Sequence, residues 1–373
     1  MKIGVLTLPL HYNYGGILQA YALQTVLQRM GHEPFVISQP EPSILEPRWK
    51  IPLLPLHYLK RAVKRYVLKK ENAISVFHER AVPLIRRYTQ QFVDSYIKKI
   101  AFDEVLSLYK NGELEAIVVG SDQIWRPKYY DNISEAYLSF AKDWHIKRIA
   151  YAASFGTSEW EYTDTQTALC KELLQKFDAV SVREDSGIEL CQKYFSVTAR
   201  YMPDPTLLLR AEDYIQLFQT AESPYSGGDF FVYILDDSLE KTRAAQAVGS
   251  PNGLTPFWVS RPSDVSAPRS VPPVENWLRG FHDAKFVLTD SFHGCVFSIL
   301  FNKPFLVFGN ANRGMARFRS LLRLFALEER LVSSCQEIQD KFVRPVNWLE
   351  VNTRLQVLRL QSEQYLRTAI ASF

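Results

Sequence analysis

No apolar run in this 373-residue chain approaches the ~18 residues that a membrane-spanning helix requires. Cysteine is scarce as well. The four that occur, Cys170, Cys191, Cys295 and Cys335, have no C-x-x-C spacing. That excludes a disulfide framework or a thiolate zinc site and fits free thiols in a reducing cytoplasm. Charge of one sign is lacking too, since a formal net charge of +4 is too small to mark a nucleic-acid binder. The sequence has no G-x-S-x-G, no Walker loop and no G-x-G-x-x-G, and its His, Cys, Asp and Glu residues show no metal-ligand spacing. No metal or other cofactor is expected. No internal repeat or low-complexity tract appears.

One absence is local. Between Arg48 and Lys70 there is no acidic residue, while Lys60, Arg61, Lys64, Arg65, Lys69 and Lys70 interleave with Leu59, Ala62, Val63, Tyr66 and Val67 at helical spacing. Such a helix is either a solvated face or a peripheral contact with an anionic membrane surface.

The length is enough for two cored domains, because single cores seldom exceed roughly 250–300 residues. Ile3–Leu8 reads as a buried strand rather than a signal sequence. It is followed by the turn His11–Gly16, a helix Ile17–Met30 and a strand Pro34–Ser38, a βαβ opening that implies a parallel sheet. Strands at Ala116–Val119, Ile149–Ala153 and Ala179–Val182 each end in a polar or glycine cluster. Such clusters form the lip of a ligand cleft in an open α/β sheet. After Pro203-Asp204-Pro205-Thr206 and a Ser/Gly-rich loop, βα alternation resumes from Phe230. The fold expected is α/β: two Rossmann-like domains facing across a cleft, a glycosyltransferase-B-like architecture. The first is placed at 1–215, on the acceptor side, with a basic helical excursion at about 40–112, and the second at 216–346, on the donor side. A terminal helix at 347–373 would pack back across the hinge.

The candidate site centres on Lys285–Gly309, strand, turn and helix, with Asp290, Ser291, His293 and Gly294 in the turn. A helix N-terminus there favours an anion, and an imidazole beside it can exchange a proton near neutral pH. Arg183, ending a buried strand, can clamp a carboxylate or phosphate or pair with Glu184 or Asp185. Arg313 and Arg317 enter the same crevice. From the first domain come His11, Asn13, Tyr14 and Gln19 on the glycine turn and its helix, and Asp122, Gln123 and Trp125 after Val119. Amides and an aromatic face suit a sugar. Asp122 can take a hydroxyl proton or cap its turn. The combination suggests transfer of an anionic group onto a carbohydrate hydroxyl.

The motifs N-Y-G-G-I-L-Q-A-Y-A-L at Asn13–Leu23, G-S-D-Q-I-W at Gly120–Trp125, V-R-E-D-S-G at Val182–Gly187, P-D-P-T at Pro203–Thr206 and T-D-S-F-H-G at Thr289–Gly294, with the later N-K-P turn, resemble the polysaccharide pyruvyl transferase family. The resemblance implies phosphoenolpyruvate as donor and a pyruvate ketal formed on two hydroxyls of a sugar, often a galactoside, in bacterial capsule, exopolysaccharide or cell-wall assembly. The acceptor is expected to be a saccharide, free or lipid-linked, and the enzyme cytoplasmic, either free or peripheral at the inner face of the plasma membrane. His293 matches the family's donor-site histidine and Arg183 its donor-binding arginine. Where several members carry Arg-Leu-His, this chain has Ser291-Phe292-His293, so that arginine's contact would fall to Arg317 or to helix amides. In this scheme His293 is the acid and Asp122 or His11 the base. Ser291, Gly294, Arg313 and Arg317 join the donor site. Asn13, Tyr14, Gln19, Gln123 and Trp125 hold the acceptor. Two other readings are a sugar-nucleotide-dependent glycosyltransferase of the same fold and a non-catalytic glycan-binding relative.

Overall fold

The computed structural model describes residues 1–38, 76–130, 132–224, 226–236, 238–259, 271–309 and 314–371. The basic stretch Leu59–Lys70 and Arg313 lie outside the described residues. The first sheet has seven parallel strands: β1 Lys2–Leu6, β2 Glu33–Ser38, β3 Lys99–Ala101, β4 Leu114–Val119, β5 Lys147–Ala153, β6 Ala179–Val182 and β7 Arg200–Tyr201. Their order is β3-β2-β1-β4-β5-β6-β7. Helices α1 Tyr14–Arg29, α2 Val76–Tyr96, α3 Phe102–Lys110, α4 Asp164–Leu174 and α5 Asp185–Leu190 connect them. Every residue of β5 is buried, as a central parallel strand covered on both faces requires. The α4 helix starts where the sequence dictates, with Thr163 and Gln166 closing a reciprocal capping box that satisfies two orphan donors.

The second sheet has five parallel strands: β8 Phe230–Tyr233, β9 Pro256–Phe257, β10 Phe286–Thr289, β11 Phe305–Phe308 and β12 Leu331–Val332, ordered β12-β11-β10-β8-β9. Its helices include α6 Ala211–Thr220, α7 Leu239–Gly249, α8 Val274–Asp283, α9 Phe292–Leu300, α10 Met315–Leu324 and α11 Gln336–Phe342. The α6 helix runs without a break through residues 215 and 216, where the sequence placed the domain boundary. Its Tyr214 meets Phe297 of α9 edge-on at 5.0 Å between ring centres. The last helix, α12 Trp348–Ala371, returns to the first sheet. There the Tyr365 hydroxyl donates to the Ala150 carbonyl at 3.0 Å, and Arg359 donates to the carbonyls of Leu207 and Leu209 at 2.8 and 2.6 Å.

Both sheets reverse their winding at one point: between β1 and β4 in the first, between β8 and β10 in the second. Strand ends diverge there and leave a crevice. The residues after β1 and β4 are the glycine turn and Gly120–Trp125. Those after β10 are Asp290–His293. The two crevices face each other. No helix among the described residues is long and apolar enough to cross a membrane.

Candidate functional site

His293 opens α9 from the second domain and is buried between two pieces of the first. On one side, its Nε2 lies 3.4 Å from Asp204 Oδ2. On the other, Gly15 packs against the ring so closely that a Cβ on residue 15 would sit 1.9 Å from Nδ1. The turn before it is built from side chains. The Thr289 hydroxyl accepts from the Ser291 amide at 3.0 Å, and the Ser291 hydroxyl accepts from the Gly294 amide at 3.3 Å, an N-cap. Asp290 is fully committed elsewhere: it accepts from the amides of Leu235 and Asp236 at 2.6 and 3.0 Å and from Lys241 Nζ at 2.7 Å. It ties β10 to the end of β8 across the crevice.

Arg183 is 1% exposed and already paired. Its Nη1 meets Asp204 Oδ2 at 2.5 Å, and its Nη2 meets Asp122 Oδ1 at 3.3 Å. Neither Glu184 nor Asp185 is its partner. Glu184 instead receives the Ser154 hydroxyl and the amides of Phe155 and Gly156 at 3.0, 2.7 and 2.9 Å. Burial disfavours the Arg183 charge, but Asp204, Asp122 and Glu184 outweigh it and raise its pKa. Burial likewise pushes Asp204 up. The neighbouring His293 and the Arg183 guanidinium prevail, and the carboxyl is held well below the usual carboxylate range.

Arg317, on α10, differs. It is 6% exposed and its Nε has no hydrogen-bond partner among the described residues. Burial first, and then repulsion from Arg183, lowers its pKa to about 10. The guanidinium carbons of Arg183 and Arg317 lie 4.4 and 5.4 Å from the centre of the same ring, Phe292. This aromatic face steadies both cations but supplies no hydrogen-bond acceptor. Asp122 and Glu184 offset part of the pKa lowering, and the Nε remains a charged donor that an anionic group can accept from.

The first-domain candidates divide. Asp122 is buried and takes Asn13 Nδ2 at 3.3 Å on its second oxygen, so Asn13, Asp122, Arg183, Asp204 and His293 form one contiguous chain. His11 lies on the approach to α1, its carbonyl accepting from the Thr89 hydroxyl at 2.6 Å. Gln123 packs over Gly156 and accepts from Arg126 at 3.2 Å. Gln19 is an internal clasp. It donates to Thr7 and to the Gly16 carbonyl at 2.8 and 2.9 Å and accepts from the Ser121 amide at 2.8 Å. Tyr14 is buried against Trp277 at 5.3 Å, with its hydroxyl on the Pro272 carbonyl at 2.8 Å. Trp125 is wholly buried, stacked on Tyr137 at 5.0 Å, its Nε1 on the Ala136 carbonyl at 3.2 Å. Gln19, Tyr14 and Trp125 therefore present nothing to a sugar in this conformation. Two aromatics on these turns do keep an open face: Tyr12, 54% exposed, and Tyr129, 40% exposed, the latter next to Arg126 at 5.4 Å. Sequence reading passed over Tyr129 and Asp204. The flanking prolines of Asp204 read as a chain break, although an aspartate held between two prolines has few backbone options and can be aimed.

The polysaccharide pyruvyl transferase family model matches residues 13–312. The chain belongs to that family. The matched span carries every residue of the His293–Asp204–Arg183–Asp122–Asn13 chain and stops just short of Arg317. No curated protein matches the chain. Among solved structures, it is similar to a UDP-GlcNAc 2-epimerase from Methanocaldococcus jannaschii (10% identity, 97% of this chain and 99% of that one, TM-score 0.51). It is also similar to the UDP-GlcNAc 2-epimerase from Neisseria meningitidis bound to UDP-GlcNAc (11% identity, 96% and 94% covered, TM-score 0.50). At such identities the likeness is one of fold: two Rossmann-like domains across a cleft.

Proposed function

We propose that this family member moves the enolpyruvyl group of phosphoenolpyruvate onto two hydroxyls of a sugar, a galactoside in a lipid-linked oligosaccharide, to form a pyruvate ketal in bacterial surface polysaccharide assembly. One observation carries the reading beyond family membership: the buried Nε of Arg317 has no hydrogen-bond partner among the described residues, and its guanidinium shares the Phe292 ring with that of Arg183 in the crevice that holds His293.

The chemistry follows from these groups. His293 gives a proton to the CH2 carbon of the donor, creating an oxocarbenium-like centre at C2. One sugar hydroxyl attacks C2 and loses its proton. The C2–O bond to phosphate then breaks, phosphate leaving with the electron pair. The second hydroxyl closes the ketal and loses its proton in turn. Of the two hydroxyl protons, one replaces the proton spent on carbon and the other leaves on phosphate, so the balance closes. Arg317 and the α9 N-terminus hold the phosphate and oppose its developing charge. Arg183 reaches the donor carboxylate by giving up its looser partner, Asp122 at 3.3 Å. That exchange frees Asp122 to take the hydroxyl proton.

The test is phosphate release from phosphoenolpyruvate with candidate galactosides, free and lipid-linked, by wild type and His293→Ala. Release by wild type that depends on the acceptor and is lost in the variant is the expected result. No release with any acceptor, or nucleoside diphosphate release from sugar nucleotides instead, would overturn the proposal.

A further inference from the structure

Asp204 holds more of this site together than any other side chain. Its Oδ1 accepts from the Thr206 amide and hydroxyl at 3.0 and 2.7 Å. Its Oδ2 accepts from Arg183 at 2.5 Å, with the Ser121 hydroxyl at 3.5 Å. The carboxylate is wholly buried and cannot turn without breaking several of these bonds at once. What it fixes is the direction in which Oδ2 faces His293. The ring's Nε2 is enclosed and, at 3.4 Å from Oδ2, makes no well-aligned hydrogen bond among the described residues. The side chain nevertheless retains 7% exposure. Since Nε2 contributes none of it, that exposure belongs to other ring atoms. Nδ1 lies on the opposite flank, against Gly15 and the turn that opens α1.

We propose that Asp204 is the positioning residue of His293: its fixed carboxylate keeps the imidazole proton on Nε2 and leaves Nδ1, at the glycine turn, as the nitrogen that exchanges a proton with substrate. The physical ground is that an enclosed N–H facing a full negative charge is stabilised, whereas a bare nitrogen lone pair there would be repelled. Among the described residues, the charges around the ring are few. Asp204 faces it directly. Arg183 reaches it through Asp204, Asp122 through Arg183, and Arg317 lies against the neighbouring Phe292 ring. This assignment rests on the proposed pyruvyl transfer for what the proton does. It does not rest on it for where the proton sits.

The experiment therefore reads both. Nitrogen-15 imidazole spectra of the full-length protein, with the His293 signal assigned by its loss in His293→Gln, report the tautomer without any turnover. Wild type should show Nε2–H, and Asp204→Asn should move population toward Nδ1–H. With phosphoenolpyruvate and a working acceptor, Asp204→Asn should lower kcat by up to about 10⁴-fold, the loss when a carboxylate that fixes a catalytic histidine's tautomer becomes an amide, while the phosphoenolpyruvate KM stays within about twofold. Nδ1–H in the wild type overturns the proposal even if the variant fails to fold. So does a variant that keeps the wild-type tautomer and kcat. An Nε2–H wild type that transfers no pyruvyl group upholds the positioning of His293 and overturns the pyruvyl-transfer reading alone.

Discussion

Gly15 and His293 come from different domains and touch without a side chain between them: a Cβ on residue 15 would sit 1.9 Å from His293 Nδ1. The glycine turn read from the sequence as a possible ligand loop is thus first of all a seat for the histidine. Gly15→Ala should lower turnover at least ~100-fold by pushing the ring aside, and destabilise the fold by about 1–3 kcal/mol through overpacking. Gly16→Ala, whose Cβ would meet Asn13 Nδ2 at 3.2 Å, should cost much less. Steady-state kinetics and thermal unfolding of the pair check this.

Arg317 should trade stability for binding. Because its buried Nε finds no acceptor among the described residues, Arg317→Met should leave the free protein as stable as wild type or more so, by about 1–3 kcal/mol. Phosphoenolpyruvate at about 100 times its Kd should stabilise wild type by about 2.7 kcal/mol and the variant hardly at all. Tm with and without phosphoenolpyruvate is the measurement. A variant stabilised as much as wild type would remove Arg317 from the donor site.

Trp125 should behave as a core residue. With its ring buried on Tyr137 and Phe155, Trp125→Ala should cost about 3–5 kcal/mol, measurable by denaturant unfolding. Tyr129→Ala, at the open face, should leave stability within about 0.5 kcal/mol and raise the acceptor KM.

Asp204 carries an acid-sensitive part of the stability. Its native pKa is depressed: burial opposes the charge, but His293 and Arg183 outweigh burial. The unfolded value is near the ordinary ~3.9. The unfolded state therefore binds the proton first as pH falls. The contribution is complete above about pH 5 and is lost as pH drops through 3.9 toward the native value. The stability gap between wild type and Asp204→Asn should be full near pH 5 and shrink below pH 4, as urea unfolding across that range would show.

The alternation of apolar strands with helices and polar strand ends was enough to establish two parallel α/β domains, because burial on both faces of a parallel sheet leaves a continuous apolar run. The turn at Thr289–Gly294 was legible for a similar reason, since a polar cluster between an apolar strand and an apolar helix is a local signal. Which polar residues face the cleft was not legible, because that depends on partners far away in the chain. Gln19, Tyr14 and Trp125 look like sugar ligands until Ser121, Pro272 and Ala136 are found to hold their polar atoms. Arg183 looks like a free clamp until Asp204, 21 residues on, occupies it at 2.5 Å. Sequence by itself determined the fold, the family's motifs and the histidine at a helix start. Only the tertiary structure decided which buried guanidinium nitrogen goes unpartnered among the described residues and which carboxylate faces the histidine. Those pairings are set by two strand reversals meeting across a domain interface, and no local pattern encodes that.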